Sequence, residues 1–146
     1  MAHVRQQIRE AFATVLTNAN VASVISSSRV YPLPPTTTTA ALIYTNTDSV
    51  TDTTLTAPRN LTRELVIVVE CVARKLADLD DQLDTLCKNV ENAVGANNTL
   101  TGLVKDCVLA DTIITHDFNG DAPIGSARMQ FRVMYRTAEN NAEISV

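Results

Sequence analysis

Residues 61–75 read LTRELVIVVECVARK, and their alternation decides the fold. Leu65, Ile67, Val69, Cys71 and Ala73 fall on one side. Glu64, Val66, Val68, Glu70, Val72 and Arg74 fall on the other. A period of two is the signature of a β-strand. The middle of this stretch is apolar on both sides, so the strand belongs inside a sheet, covered on both faces.

Helical patterns lie on either side of it. In residues 3–17, Val4, Ile8, Ala11, Phe12, Val15 and Leu16 share one face, and Arg5, Gln6, Arg9 and Glu10 fill much of the other. After the strand, Asp78 or Asp80 can cap a second helix running to about Val94. Its apolar stripe is Leu79, Leu83, Leu86, Cys87, Val90 and Val94, and Gly95 ends it. The stretch 18–28 is small and polar. Arg29, Val30 and Tyr31 then read as a short strand stopped by Pro32.

Residues 40–45 (AALIYT) read as a further strand. Residues 32–58 hold ten of the chain's 19 threonines and only two charges, Asp48 and Asp52. Threonine is a good strand former, so the Thr-rich segment at about 46–58 is either an extended loop or a β-arm. It has little aliphatic content to give a core. Loops of this kind carry contacts, and Thr47, Asp48, Val50, Asp52 and Leu55 are the candidate contact residues.

Two long strands, about 103–117 and 125–137, follow the second helix, with Asn119 and Gly120 as the hairpin signal between them. In the last strand Ala127, Met129, Phe131, Val133 and Tyr135 alternate with Arg128, Gln130, Arg132, Met134 and Arg136. The polar tail from Thr137 is expected to fray. The order α-β-β-β-α-β-β gives an α+β fold: a mostly antiparallel (mixed) sheet with two helices packed on one face. At 146 residues and 45% apolar content, one domain over 1–146 is expected.

Composition excludes several function classes. Twelve basic residues against sixteen acidic ones give a net charge of -4, which argues against a protein that wraps nucleic acid with a basic surface. Cys71, Cys87 and Cys107 are too far apart for a zinc framework and read as buried free thiols. The only histidines, His3 and His116, have no serine or cysteine partner at a recognised spacing. The four glycines form neither a P-loop nor a dinucleotide fingerprint. The run Asp117–Asp121 begins like a calcium loop. It fails at the sixth position, Ala122, and at the twelfth, Arg128. Asp78, Asp80, Asp81 and Asp84 could be a carboxylate metal site, but acidic residues at a helix start already complement the helix dipole. No cofactor or metal is expected. The longest aliphatic run, residues 65–69, is far too short for a membrane span. No secretory signal is visible, so synthesis in a cytoplasm is expected.

One constellation remains. Arg128, Arg132, Met134 and Arg136 share a face of the last strand, and Glu64, Val66, Val68, Glu70 and Val72 share a face of the central one. If the helices cover the Leu65 face, this second face needs another cover. A second copy of the chain could supply it, with arginine–glutamate pairs fixing register. The plainer alternative is a solvated sheet face with scattered valines.

Several segments resemble tail terminator proteins of long-tailed bacteriophages, the minor tail protein U-like group of tail-completion proteins. They are MAHVRQQIREAFATVLT (1–17), SRVYPLP (28–34), LTRELVIVVE (61–70), LDDQLDTLCKNVENAV (79–94) and ARMQFRVMYRTAEN (127–140). The resemblance spans almost the whole chain and rests on element order and segment character. It implies a non-enzymatic virion subunit of the tail or neck. The subunit would form a ring, expected to be hexameric, that caps the tail tube and ends its polymerisation. Its partners would be its own copies, the tail tube protein and a head-completion or neck protein. DNA would pass through the lumen without specific binding, and no membrane is involved. Apart from the resemblance, which places no family position on it, the 46–58 segment is a natural place for contacts with the tail tube or a neighbouring subunit. Rival readings are another head–tail joining ring protein (head-closure or stopper), a small nucleic-acid-binding module using the arginines, and a metal-dependent hydrolase using Asp78–Asp84. Native mass separates the ring readings from the other two.

Overall fold

The computed structural model describes residues 2–28, 38–74, 78–117 and 124–146. The described chain runs α1 (Val4–Asn18), β1 (Val24–Ser26), β2 (Thr39–Thr53), β3 (Asn60–Arg74), α2 (Leu79–Gly95), β4 (Asp106–Asp117), β5 (Ile124–Ala138) and β6 (Asn141–Ser145). The fold is α+β, as the alternation and helical patterns require. Among the described residues there are two helices and six strands.

The sheet order is β1-β2-β3-β5-β4, with β6 pairing against β5. β1 runs parallel to β2, and every other pair is antiparallel. β3 is central, hydrogen-bonded to β2 on one side and to β5 on the other along its whole length. That position follows from the two-sided apolar run of residues 65–72.

Both helices pack on one face of the sheet. Val4, Ile8, Phe12 and Leu16 of α1 and Leu83, Leu86, Cys87, Val90 and Val94 of α2 are buried in the main core. They meet the odd-numbered residues of β3 and β5, including Leu65, Ile67, Val69, Met129, Phe131 and Val133. The rings of Phe12 and Phe131 meet edge-on at 5.6 Å, joining α1 to the middle of β5. α2 sits so close to β5 that a Cβ on Gly125 would lie 2.6 Å from Leu83 Cδ1. A larger residue there would force the Leu83 and Leu79 side chains of α2 to move.

Three sequence expectations are corrected, and at 46–53 the structure takes one of the two alternatives left open, the β-arm. The stretch 18–28, read as loose and polar, contains β1; three residues are too few to show a period. The tail does not simply fray, because β6 pairs with the end of β5 and Ser145 Oγ donates to the Leu103 carbonyl at 2.7 Å. Asp78 stands at the N-cap of α2 in a left-handed conformation (φ 57°), and its side chain makes no capping bond. β2 continues past Thr45 as far as Thr53, so residues 46–53 are strand and pair with β3. The expected strand 29–31, the Asn119–Gly120 turn and most of the calcium-like run lie outside the described residues.

Candidate assembly surface

The cross-strand register brings the predicted interface residues together. Glu64 faces Met134, Val66 faces Arg132, Glu70 faces Arg128, and Arg136 lies opposite Thr62. All nine candidates therefore share the sheet face that points away from the helices. The single chain treats them differently, however. Val68, Glu70 and Val72 are buried within it, at 4%, 4% and 7% exposure. They are not free to meet a partner. Ala40, Leu42 and Val72 form a small second core on this face, with Ile124 packed against it. Arg132, Met134 and Arg136 are exposed, and Glu64 and Val66 are half-buried.

Burying the Glu70 carboxylate requires partners, because an unpaired buried charge is costly. Arg128 Nε approaches its Oε1 at 3.5 Å, and Tyr44 Oη donates to its Oε2 at 3.3 Å. The arginine–glutamate pairing expected between copies thus occurs inside one chain. Next to it, β4 adds Val108 and Ile113 to the exposed part of the face. Glu64, Asp106, Val108, Arg132 and Met134 line a shallow cavity of about 190 Å³ there. Val108 and Ile113 escaped the sequence reading. The signal available was the β-branched run Thr112–Thr115, which has no charge inside it.

The five arm candidates also divide. Thr47, Val50, Asp52 and Leu55 are exposed, Leu55 almost completely. Asp48 turns to the other face, where its side chain is only 6% exposed. Its Oδ2 accepts from Tyr135 Oη at 2.5 Å and from Arg5 Nη1 at 3.2 Å, and Arg63 Nη1 lies 3.5 Å away. The Arg63 guanidinium also sits over the Tyr135 ring, 5.9 Å from its centre. Burial and the bond to Asp48 raise the Tyr135 hydroxyl above the usual tyrosine range, so it remains a donor. Asp48 is therefore a joint between α1, the arm and β5, not a contact residue. Spacing could not show this, since Arg5 and Asp48 are 43 residues apart.

The histidines and cysteines make contacts within the chain. His3 caps α1, its Nδ1 accepting from the Arg5 amide at 3.0 Å. His116 Nε2 lies 2.6 Å from Asp80 Oδ1 and ties β4 to the start of α2. All three cysteines are free and buried. A hydrogen bond to Cys87 and burial push the Cys71 thiol up, and burial pushes Cys107 up to about 12, so neither offers a ready thiolate. Among the described residues, no group of three or more His, Cys, Asp or Glu side chains could hold a metal ion. No described helix is long and apolar enough to cross a membrane.

No family model and no curated protein matches the chain. Among solved structures, the chain is similar to one from a structure described as the virion of a native gene transfer agent (GTA) particle. The identity is 14% and the TM-score 0.34, over 90% of this chain and 92% of that one.

Proposed function

We propose that the chain is a structural virion subunit that assembles with its own copies into a ring at the end of a phage tail tube. The ring ends tube growth and presents a surface to the head-completion proteins. The observation that carries this reading is the half-covered sheet. The helices bury most of one face, while the other exposes Val108, Ile113 and Met134 together with Arg132 and Arg136. Apolar side chains set among arginines suit a contact surface better than a catalytic one. The segments that resemble tail terminators point the same way.

In this reading the exposed part of the face, Glu64, Val66, Arg132, Met134 and Arg136, lies at or beside the contact between copies. Thr47, Val50, Asp52 and Leu55 on the arm are free to meet the tail tube or a neighbour. The chain acts by assembling rather than by catalysis. Six copies would carry a charge of about -24, which keeps duplex DNA from sticking to the ring as it passes. The test is native mass. The 15.8 kDa chain should assemble to six times its mass, and the assembly should stop growth of tail tubes when added to tube protein. A chain that stays monomeric at all concentrations overturns the proposal. Tight duplex binding at about 50 mM salt would favour the nucleic-acid module instead.

A further inference from the structure

The sheet has two long edges that no described strand covers. One is β4, which pairs only with β5 among the described residues. The other is the outer side of β2 beyond Leu42, because β1 covers only Ala40–Leu42. Unpaired edges expose a row of backbone donors and acceptors, and proteins blunt them with charged side chains, lysine above all, with proline and with bulges. The charges here are aspartates, Asp106, Asp111 and Asp117 on β4 and Asp48 and Asp52 on β2. Neither Asp106–Asp117 nor Ile43–Thr53 contains a lysine or a proline. Both strands carry bulges, but these leave Asp111–Asp117 and Thr47–Val50 in unbroken register. Ile113 and Ile114 are about half exposed on opposite faces of β4, and Val50 is similarly exposed on the arm.

We propose that the free edge of β4 in one copy hydrogen-bonds to the outer edge of the β2 arm in the next. This deepens the ring reading and rests on it. The strand directions favour a second copy as the occupant. β2, β3, β5 and β4 alternate in direction, so the two edges run oppositely. A rotation that repeats the subunit without inverting it therefore sets β4 antiparallel to the neighbouring β2. Such a head-to-tail contact uses two different surfaces and can close into a ring.

The register is constrained as well. Within one copy Ile113 is level with Arg128, Glu70 and Leu42. At that level β1 of the neighbour would block the contact. The neighbour must slide along the strands, and by an even number of residues if both copies are to keep their helices on the same side. A slide of about four residues, roughly 14 Å at about 3.4 Å per residue, moves β1 to the end of β4. It brings Thr47 opposite Ile113 on the open face and Val50 opposite Leu109 on the helix face.

The experiment uses the full chain and reads native mass and cross-linking together. Ile113→Lys and Val50→Lys should each reduce the assembly to the monomer mass, with a folded far-ultraviolet spectrum and the monomer melting temperature retained. Ile144→Lys, at an equally exposed aliphatic on β6, should assemble normally. A chain carrying both Ile113→Cys and Thr47→Cys should form a ladder of disulfide-linked multimers on mild oxidation, and neither single variant should. If the wild-type chain assembles but is unaffected by both lysines and gives no ladder, the edge pairing is overturned and the ring reading stands. If the wild-type chain never assembles, both fall. If a lysine variant loses tube capping while keeping its multimer mass, the edge binds another protein's strand and the proposed pairing is wrong.

Discussion

The two faces of β5 differ sharply in burial. On one, Ala127, Met129, Phe131, Val133 and Tyr135 are all almost completely buried under the helices. On the other, Arg128, Arg132, Met134 and Arg136 are exposed. The same strand serves the fold with its odd residues, while among its even residues Arg128 partners the buried Glu70 and Arg132 and Met134 stand exposed. β3 does not divide so cleanly. Its odd face is buried, but Val68, Glu70 and Val72 on its even face are buried too. Burial on the open face is concentrated in the C-terminal half of β3, beside Ala40, Leu42 and Ile124.

The largest expected effect breaks the comparison on β5. Phe131→Ala empties the site where α1 meets the sheet and should cost about 3–5 kcal/mol. Met134→Ala, three residues along on the open face, should cost about 0.5 kcal/mol or less in the monomer. Denaturant unfolding of the two variants measures the difference. Equal losses would mean that the open face is as much a part of the core as the covered one.

A second pair of variants separates the covered and bare parts of the open face itself. Val68→Glu places a charge where only 4% of the residue is exposed, beside the existing Glu70 carboxylate. It should cost about 3 kcal/mol or more. Arg132→Glu, on the strand next to it, should leave monomer unfolding within about 0.5 kcal/mol. Any loss of assembly in the Val68 variant would then follow from the fold, whereas in the Arg132 variant it would follow from the surface.

These contrasts also mark what the sequence could reveal. The period of two in residues 64–74 and 127–136, and the three-and-four spacing of Val4, Ile8, Phe12 and Leu16, are local patterns that follow directly from strand and helix geometry. The covering of Val68 and Val72 is tertiary. Nothing in their spacing distinguishes them from Val66, so all were equally good interface candidates. The arm was ambiguous for a different reason. Bulges between Thr45 and Thr47 and between Val50 and Asp52 shift the register, which erases the alternation that would have marked a strand. One of those shifts also helps place Asp48 on the helix side, where it meets Arg5, Arg63 and Tyr135.

The Asp48 joint gives an intermediate effect. Asp48→Asn keeps the size of the side chain and can still accept from Tyr135, but removes the charge that faces Arg5 and Arg63. Arg63 is only 15% exposed, so its guanidinium would be left mostly buried without a counter-charge. The cost should be about 2 kcal/mol. Hydrogen exchange should rise in residues 45–53 and in the first turn of α1, while the centre of β3 stays protected. Uniform exchange across the sheet would mean that Asp48 does not join the arm to the body.

The smallest effect is a dependence on pH at the other end of the same joint. Neutral His3 accepts the Arg5 amide through Nδ1, and a protonated imidazole cannot. Burial, then the charges of Arg5 and Arg63, lower the His3 pKa below its ordinary 6.5, while Asp48 opposes the shift. Between the lowered folded value and the unfolded value, the unfolded chain binds more protons, so stability rises with pH. The contribution is complete above about pH 6.5 and is lost as pH falls through the folded value. It is limited to what one N-cap supplies, about 1 kcal/mol. His3→Asn provides a cap that does not titrate, and all other ionisable groups stay in place. The melting temperature of the wild-type chain should therefore fall more between pH 7.5 and pH 5.5 than that of the Asn variant. Parallel curves would show that the His3 cap does not depend on its proton.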